Sequence, residues 1–169
     1  MALQWGSVAG VLTANVDGAL NQVILANAGF GITDDKGMTQ LWTPQAIRGN
    51  NVVIPGTPGV DINPSRTTEA KISLGMTIVG ECDRTGAPYA DYAAGVMSNV
   101  NYLMTHLIRP GYGRAVTFVD PIGNSWVGTM QFDQLMIGEW VPGGGDVMFQ
   151  SLAVLAVLKL RLPTPLVPA

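Results

Sequence analysis

The side chains that could carry out chemistry are few in this sequence, and they stand apart from one another. The single histidine, His106, lies in the apolar segment LMTHLIRP. A general base needs a nucleophile or a carboxylate within hydrogen-bond reach, and no residue spacing here predicts such a partner. We therefore interpret His106 as a residue near the C-terminus of a helix, where the helix dipole favours it.

Ser125, in the segment GNSWVG, is the candidate nucleophile. The nucleophile elbow of hydrolases has the pattern G-x-S-x-G, which this segment lacks, so a hairpin turn accounts for it better. The glycine-rich segments GYGR and PGGGD also lack the residues that complete a phosphate-binding loop, and they are typical of turns. An enzyme that uses Ser125, His106 and one acid stays an alternative only if those side chains converge in space.

Metal-binding side chains form no cluster in the sequence. Cys82 is the only cysteine, which excludes an intrachain disulfide and a cysteine-rich metal site. The acidic pairs Asp34–Asp35 and Glu81–Asp83 are not followed by further oxygen ligands at the spacing of a calcium loop. We therefore predict no catalytic, cofactor-binding or metal site, and no enzymatic activity.

The composition favours a protein that is covered by other chains. Hydrophobic residues make up 47% of the chain and charged residues only 12%, whereas about 25% charged residues is usual in soluble domains. Obligate interfaces are depleted in charge. A monomer with so few charges would be poorly solvated, and we therefore expect the chain to oligomerise.

The charge distribution argues against nucleic acid as a direct binding partner. The net charge is −3 and the basic residues are scattered singly, whereas binding to phosphates requires a basic patch. The N-terminal segment MALQWGSVAG lacks the basic residues and the continuous apolar core of a signal peptide. We expect synthesis in the cytoplasm without export, and no direct binding to nucleic acid.

The middle of the chain predicts a strand, a turn and a helix in that order. Ala70–Gly80 alternates apolar and polar residues as a half-buried strand does, and Asp83, Gly86 and Pro88 then supply turn chemistry. A helix of about 18 residues follows, with Asp91 at its N-cap. Its predicted apolar face consists of Tyr92, Val96, Val100, Leu103 and Leu107, broadened by Ala93, Met97, Met104 and Ile108.

The C-terminal half predicts three more strands. RAVTFVD and SWVGTMQFDQLMIGEW are joined by DPIGN, a short hairpin connection. In VMFQSLAVLAVLKLRL the uninterrupted apolar run extends only from Leu152 to Leu158, which is too short to span a membrane. Lys159 and Arg161 alternate with leucines, a period of two. We predict a strand that is buried on both faces in its first part, between the core and either the flanking helix or a neighbouring subunit. At its end the strand is half-exposed, where Lys159 and Arg161 emerge to solvent or to an acidic partner.

The first 69 residues are less regular. NQVILANAGFGITDD and MTQLWTPQAIRG are compatible with two strands. Residues 50–69 contain prolines and turn signals throughout, which disfavour a regular element. Loops of this length in compact domains are commonly functional. We interpret residues 50–69 as a long ordered excursion from the sheet.

The order of these segments resembles a known family. IRGNNVVIPGTPG, then IVGECDRTGAPYAD, the amphipathic helix, the hairpin and the final apolar strand together resemble the minor tail proteins of long-tailed bacteriophages that infect actinobacteria. These have the tail-tube fold, of which the distal tail protein is one version. The resemblance extends from Ile47 to Leu162. It implies one domain over residues 1–169, mainly β with one flanking α-helix (α+β), as a β-sandwich or open barrel.

The resemblance also implies a function and partners. Six copies would form a ring around a channel for DNA, most simply at the distal tail tip that joins tube to baseplate, within a virion assembled in the host cytoplasm. The partners would be further copies, the tail tube, the baseplate hub and the tape measure, while DNA passes without specific binding. No cofactor and no membrane insertion are implied. The extended loop 50–69 would contact the neighbouring subunit through Val52, Val53, Ile54, Pro55, Pro58, Val60 and Ile62.

Two alternatives remain at this point. Distal tail proteins often carry a further C-terminal domain, whereas LPTPLVPA follows soon after the last predicted strand; a major tail tube subunit or a tail terminator would fit as well. From another class, a cytoplasmic small-ligand-binding β-barrel would use its apolar residues to line a pocket. The size of the protein in solution separates the ring from the ligand-binding monomer.

Overall fold

An eight-stranded antiparallel sheet is the main element of the computed structural model. The structure describes residues 10–16, 21–24, 28–41, 47–48, 51–52, 61–62, 66–67, 69–142 and 152–169. The strands of the sheet are β1 (Val11–Val16), β2 (Asn21–Ile24), β3 (Phe30–Ile32), β8 (Ala70–Val79), β9 (Gly113–Val119), β10 (Ser125–Pro142), β11 (Leu152–Leu162) and β12 (Val167–Pro168). Their order is β2-β1-β9-β10-β11-β8-β3, with β12 paired to β10.

The sheet buries one face, which curls around the core as a half-barrel. Along β8 the residues Ile72, Leu74, Met76 and Ile78 are buried and the residues between them are not, as the alternation in the sequence predicted. The largest buried side chains include Phe30, Phe118 and Phe132. The predicted fold class, mainly β with one flanking helix in an open-barrel arrangement, is confirmed.

The flanking helix is α2 (Tyr92–His106), and it lies where the sequence predicted it. The Asp91 side chain accepts hydrogen bonds from the backbone N–H groups of Ala93 and Ala94, and therefore caps the helix. At the other end, Arg114 donates from Nε to the carbonyl oxygen of Leu107 at 3.0 Å. The face that carries Val96, Val100 and Leu103 is buried in the core cluster.

A buried asparagine joins α2 to the end of β8. The Nδ2 group of Asn99 donates to the carbonyl oxygens of Val79 at 2.8 Å and Cys82 at 3.0 Å, and lies 3.4 Å from that of Gly29. The helix approaches closely here because Gly80 and Gly95 meet without side chains: a Cβ on Gly95 would lie 2.2 Å from the Gly80 carbonyl oxygen. Asn99 thus satisfies backbone groups that the strand end leaves unpaired.

The turn after β8 depends on the carboxylate of Asp83. Its Oδ1 accepts from the backbone N–H groups of Thr85 and Ala87 and from the Thr85 hydroxyl. Gly86 has a φ of +89°, which glycine adopts readily. The Thr85 hydroxyl, followed by the backbone donors, lowers the pKa of Asp83 against an opposing effect of partial desolvation. The turn is therefore held by an ionised group.

This arrangement predicts a loss of stability in acid. Because the pKa of Asp83 is lower in the folded than in the unfolded state, its contribution is complete above the unfolded pKa and is lost as the pH falls through the folded value. The variant Asp83→Asn keeps an acceptor oxygen but no charge. The difference in Tm between wild type and this variant should shrink by about 1–3 °C between about pH 6 and pH 2.5 in thermal unfolding. A difference independent of pH would contradict this role.

The N-terminal third departs from the sequence prediction in two respects. A short helix, α1 (Asp35–Thr39), begins before the segment MTQLWTPQAIRG and includes its first two residues, because Asp34 caps it by accepting from Gly37 N–H at 3.0 Å. Strand β1 was not predicted. NQVILANAGFGITDD supplies β2 and β3, two short strands in place of one.

The excursion 50–69 also contains regular pairs. Strand β4 (Ile47–Arg48) pairs with β7 (Arg66–Thr67), and β5 (Asn51–Val52) pairs with β6 (Asp61–Ile62), both antiparallel. The two ladders are nested, so they follow one hairpin-like arm, and they form sheets separate from the large one. The expectation that no regular element forms here is wrong, because backbone pairing on either side of the prolines requires only short stretches of extended chain.

Candidate assembly surface

The far end of the β10–β11 hairpin, residues 133–142 and 152–157, is the candidate functional surface, and we call it the hairpin end. Strand β10 has 18 residues and pairs with β9 only from Ser125 to Gln131. It pairs with β11 from Gln131 to Pro142. Within the described part of the chain, β10 therefore has no ladder partner on its β9 side beyond Phe132. Its backbone donors and acceptors there are available to another strand.

The hairpin end exposes large apolar side chains on both faces. Met136 lies opposite Val157, and Ile137 lies opposite Ala156, so that consecutive residues of β10 point to opposite sides of the sheet. Beyond Gln134 the only charged residue of the hairpin end is Glu139. The exposed fractions range from 38% to 44% for Met136, Ile137, Trp140, Val141, Leu155 and Val157.

The exposure of β11 corrects the sequence prediction. Burial alternates along the whole strand, with Val154 and Leu158 buried and Leu155 and Val157 exposed. The prediction of burial on both faces in the first part is wrong for this chain alone, because α2 and the core cover only one face. Along β11, the apolar residues at alternate positions face the core. The apolar residues between them lie on the opposite face, which no described element of the chain covers. Contiguous exposed apolar surface of this kind is typical of interaction sites.

A charged depression adjoins the hairpin end on the sheet surface. It is lined by Lys71, Asp133, Lys159 and Arg161 among others. Arg161 binds Asp133 through two hydrogen bonds, and its Nε lies 3.6 Å from Glu69. The hydrogen bonds to Asp133 raise the pKa of Arg161, so the guanidinium keeps its charge. The apolar surface thus has a polar rim, as protein interfaces commonly do.

The residues predicted to contact a neighbouring subunit lie in the arm or outside the described residues. Val52 lies in β5, opposite Asp61, and Ile62 lies in β6, opposite Asn51. Their contact with another subunit stays a prediction. The two-faced apolarity of LAVLAVL predicted that a neighbouring subunit could cover this strand, whereas the contribution of β10 to the hairpin end was not predicted from the sequence. Outside the described residues lie Val53, Ile54, Pro55, Pro58 and Val60.

The structure does not bring the candidate catalytic side chains together. His106 packs against the ring of Tyr102, with centroids 4.6 Å apart, and Ser125 begins β10 opposite Val119. No hydrogen bond among the described residues joins His106 to Ser125. In the same part of the chain, no three His, Cys, Asp or Glu side chains are grouped as metal ligands would be.

Cys82 is held as a thiol by a contact with a residue 54 positions earlier in the chain. Its Sγ donates to the carbonyl oxygen of Ala28 at 3.3 Å. Desolvation, together with the negative charges of Glu81 and Asp83, raises the pKa of the Cys82 thiol. A raised pKa leaves little of the nucleophilic thiolate at neutral pH.

No helix in the described part of the chain has both the length and the apolar composition to cross a bilayer.

Comparison with solved structures bears on the fold. No protein-family model matches this sequence, and neither does any curated protein. The crystal structure of the SPP1 Dit protein, described as a paradigm of the hub adsorption apparatus in phages infecting Gram-positive bacteria, is similar with a TM-score of 0.51 and 16% identity. The likeness covers 91% of this chain, which spans 50% of the SPP1 protein. It establishes a common fold.

Proposed function

We propose that this chain is a structural protein of a phage tail, in which six copies form a ring around the channel for DNA. The observation that carries the proposal is the hairpin end, an apolar surface that no described element covers, on a fold shared over 91% of the chain with a phage tail hub protein. The low charge of the whole chain supports it, because a ring covers two lateral surfaces of every subunit.

The form of the surface favours a ring over a two-fold dimer. An unpaired strand edge on one side of β10 can be covered by a different element of the next copy, and contacts between two different surfaces repeat until the assembly closes. The apolar side chains on both faces of the hairpin end would then pack between neighbours. Each copy would contact one neighbour through its hairpin end and the other neighbour through the element that covers that neighbour's hairpin end.

The position in the virion is part of the same proposal. We place the ring at the distal tail tip, between tube and baseplate, where the tail tube, the baseplate hub and the tape measure are its neighbours. A major tail tube subunit and a tail terminator share the ring but not the position. The net charge of −3 suits a channel in which DNA slides, since like charges repel. The resemblance to actinobacterial phage proteins belongs to this proposal as well.

The described residues on the concave face of the sheet give no support to the ligand-binding alternative. A small-ligand barrel would need a cavity on the concave face of the sheet. There, Phe30, Phe132 and Leu103 are fully buried in one core cluster with the strands.

Removal of the arm tests its role in the ring. We expect replacement of residues 50–65 by two glycines to leave a folded monomer that no longer forms rings, because the β4–β7 ladder remains while the predicted contact residues are lost. Light scattering after gel filtration measures the mass, and circular dichroism checks that Tm stays within about 3 °C. Intact rings from the shortened chain would contradict the assignment of the arm.

A further inference from the structure

Helix α2 has an exposed face that the proposed ring does not use. The helix contains no Asp, Glu, Lys or Arg between Asp91 and Arg109. Solvent-exposed helices ordinarily carry charges on the face away from the core. Met97 and Met104 on this face are 48% and 46% exposed. An uncharged outer face with two exposed methionines is unusual for a surface that only water contacts.

The residues of this face follow the spacing of a helix-pairing seam. Ala94, Met97, Asn101 and Met104 are separated by three, four and three residues, and all four are exposed. This is the a/d pattern by which two helices pack, and a single polar Asn within such a seam fixes its register. We call these four residues the α2 seam.

We propose that the α2 seam binds the α2 seam of a second copy of this chain, with the two helices antiparallel about a two-fold axis near Asn101. In that arrangement Met97 packs against the partner's Met104, and Asn101 faces the partner's Asn101. Asp91, at one end of the helix, meets the partner's Arg109 at the other. Each copy presents the same surface, as a two-fold contact requires.

Charge complementarity identifies the second copy as the occupant. Opposite charges lie at the two ends of the helix, Asp91 ten residues before Asn101 and Arg109 eight residues after it, and α2 itself carries none between them. The Arg84 guanidinium lies beside the helix, over the Tyr102 ring, and that of Arg109 lies over the Tyr112 ring. An antiparallel pair brings Asp91 to Arg109 twice, whereas a parallel pair would bring like charges together. The antiparallel arrangement also aligns each helix N-terminus with a C-terminus, which the helix dipoles favour.

The contact between the two helices is small, and we therefore expect it to be transient. A helix of 15 residues is about 22 Å long, so the pair falls in the class of transient interfaces, below about 1,200 Å². The contact would form between two free chains or between two rings stacked face to face. It uses a different surface from the hairpin end, so its failure and the failure of the ring are separate results.

Disulfide trapping tests the contact in the full chain. In a Cys82→Ser background, Asn101→Cys places a thiol at the two-fold axis, and Ile122→Cys is the control at a more exposed position, 84% exposed in the β9–β10 turn. Under mild oxidation we expect the Asn101→Cys chain to form covalent dimers at least tenfold faster than the control. An equal or slower rate would overturn the proposal.

The charges at the ends of the seam give a second, independent readout. Arg109→Glu should slow trapping at position 101 by about threefold or more, because it faces the partner's Asp91. Adding Asp91→Asn, which keeps the N-cap acceptor, should restore most of the rate. Restoration supports the antiparallel register; the absence of any effect of Arg109→Glu would exclude it.

Discussion

A glutamate in place of Leu155 should convert the assembled protein into a folded monomer of 17.8 kDa. Leu155 is 44% exposed on the hairpin end and points away from the core, so the monomer tolerates the change. In a ring the same position is buried against the next copy. The loss of a buried leucine costs about 1.5–3 kcal/mol, and the charge adds a desolvation cost. Each contact should therefore weaken by about 100-fold or more.

The matched control for this variant is Ala115→Glu. Ala115 is exposed on β9, in the same sheet and away from the hairpin end. Analytical ultracentrifugation compares the masses of both variants at equal concentration, and thermal unfolding checks that Leu155→Glu lowers Tm by no more than about 3 °C. Assembly that survives Leu155→Glu would show that the hairpin end is not an interface.

The second large effect concerns the stability of the monomer. Asn99→Leu should lower the free energy of unfolding by about 3 kcal/mol, because the carbonyl oxygens of Val79 and Cys82 lose their donor in a buried place. For a chain of this length that corresponds to a fall in Tm of about 6–12 °C. Calorimetry on the Leu155→Glu monomer measures it without interference from assembly.

The control for Asn99→Leu lies on the same helix, outside the α2 seam. Thr105→Leu also replaces a polar residue by leucine, on the exposed face, and it should change the free energy of unfolding by less than about 1 kcal/mol. Equal effects of the two substitutions would show that the buried hydrogen bonds of Asn99 contribute no more than helix propensity does.

Much of the local structure could be predicted from the sequence. Strand β8, the cap at Asp91, helix α2 and the β9–β10 hairpin depend on periodicity and on side chains that bond to nearby backbone, as Asp91 does to Ala93. These signals lie within a few residues of the element they determine. The prediction was therefore correct for these four features, in which neighbours in sequence decide the conformation.

The structural features that were not predicted depend on contacts between residues far apart in the chain. Helix α1 forms where Asp34 both caps it and accepts from Gly75 N–H, 41 residues away, at 3.3 Å. The exposure of Leu155 depends on whether another element packs on the sheet face opposite the core. Apolar residues on that face indicate that something covers it, but they do not show whether the same chain or another one does. The sequence therefore indicated that β11 takes part in assembly, whereas the extent of the hairpin end could be identified only after the sheet was known.

Electron microscopy of the purified wild-type chain tests the central proposal most directly. We expect ring-shaped particles with a central channel and six-fold symmetry, at masses close to six times the 17.8 kDa of the chain. A uniform population of 17.8 kDa monomers at concentrations up to about 100 μM, well above the Kd of a specific interface of standard size, would contradict it.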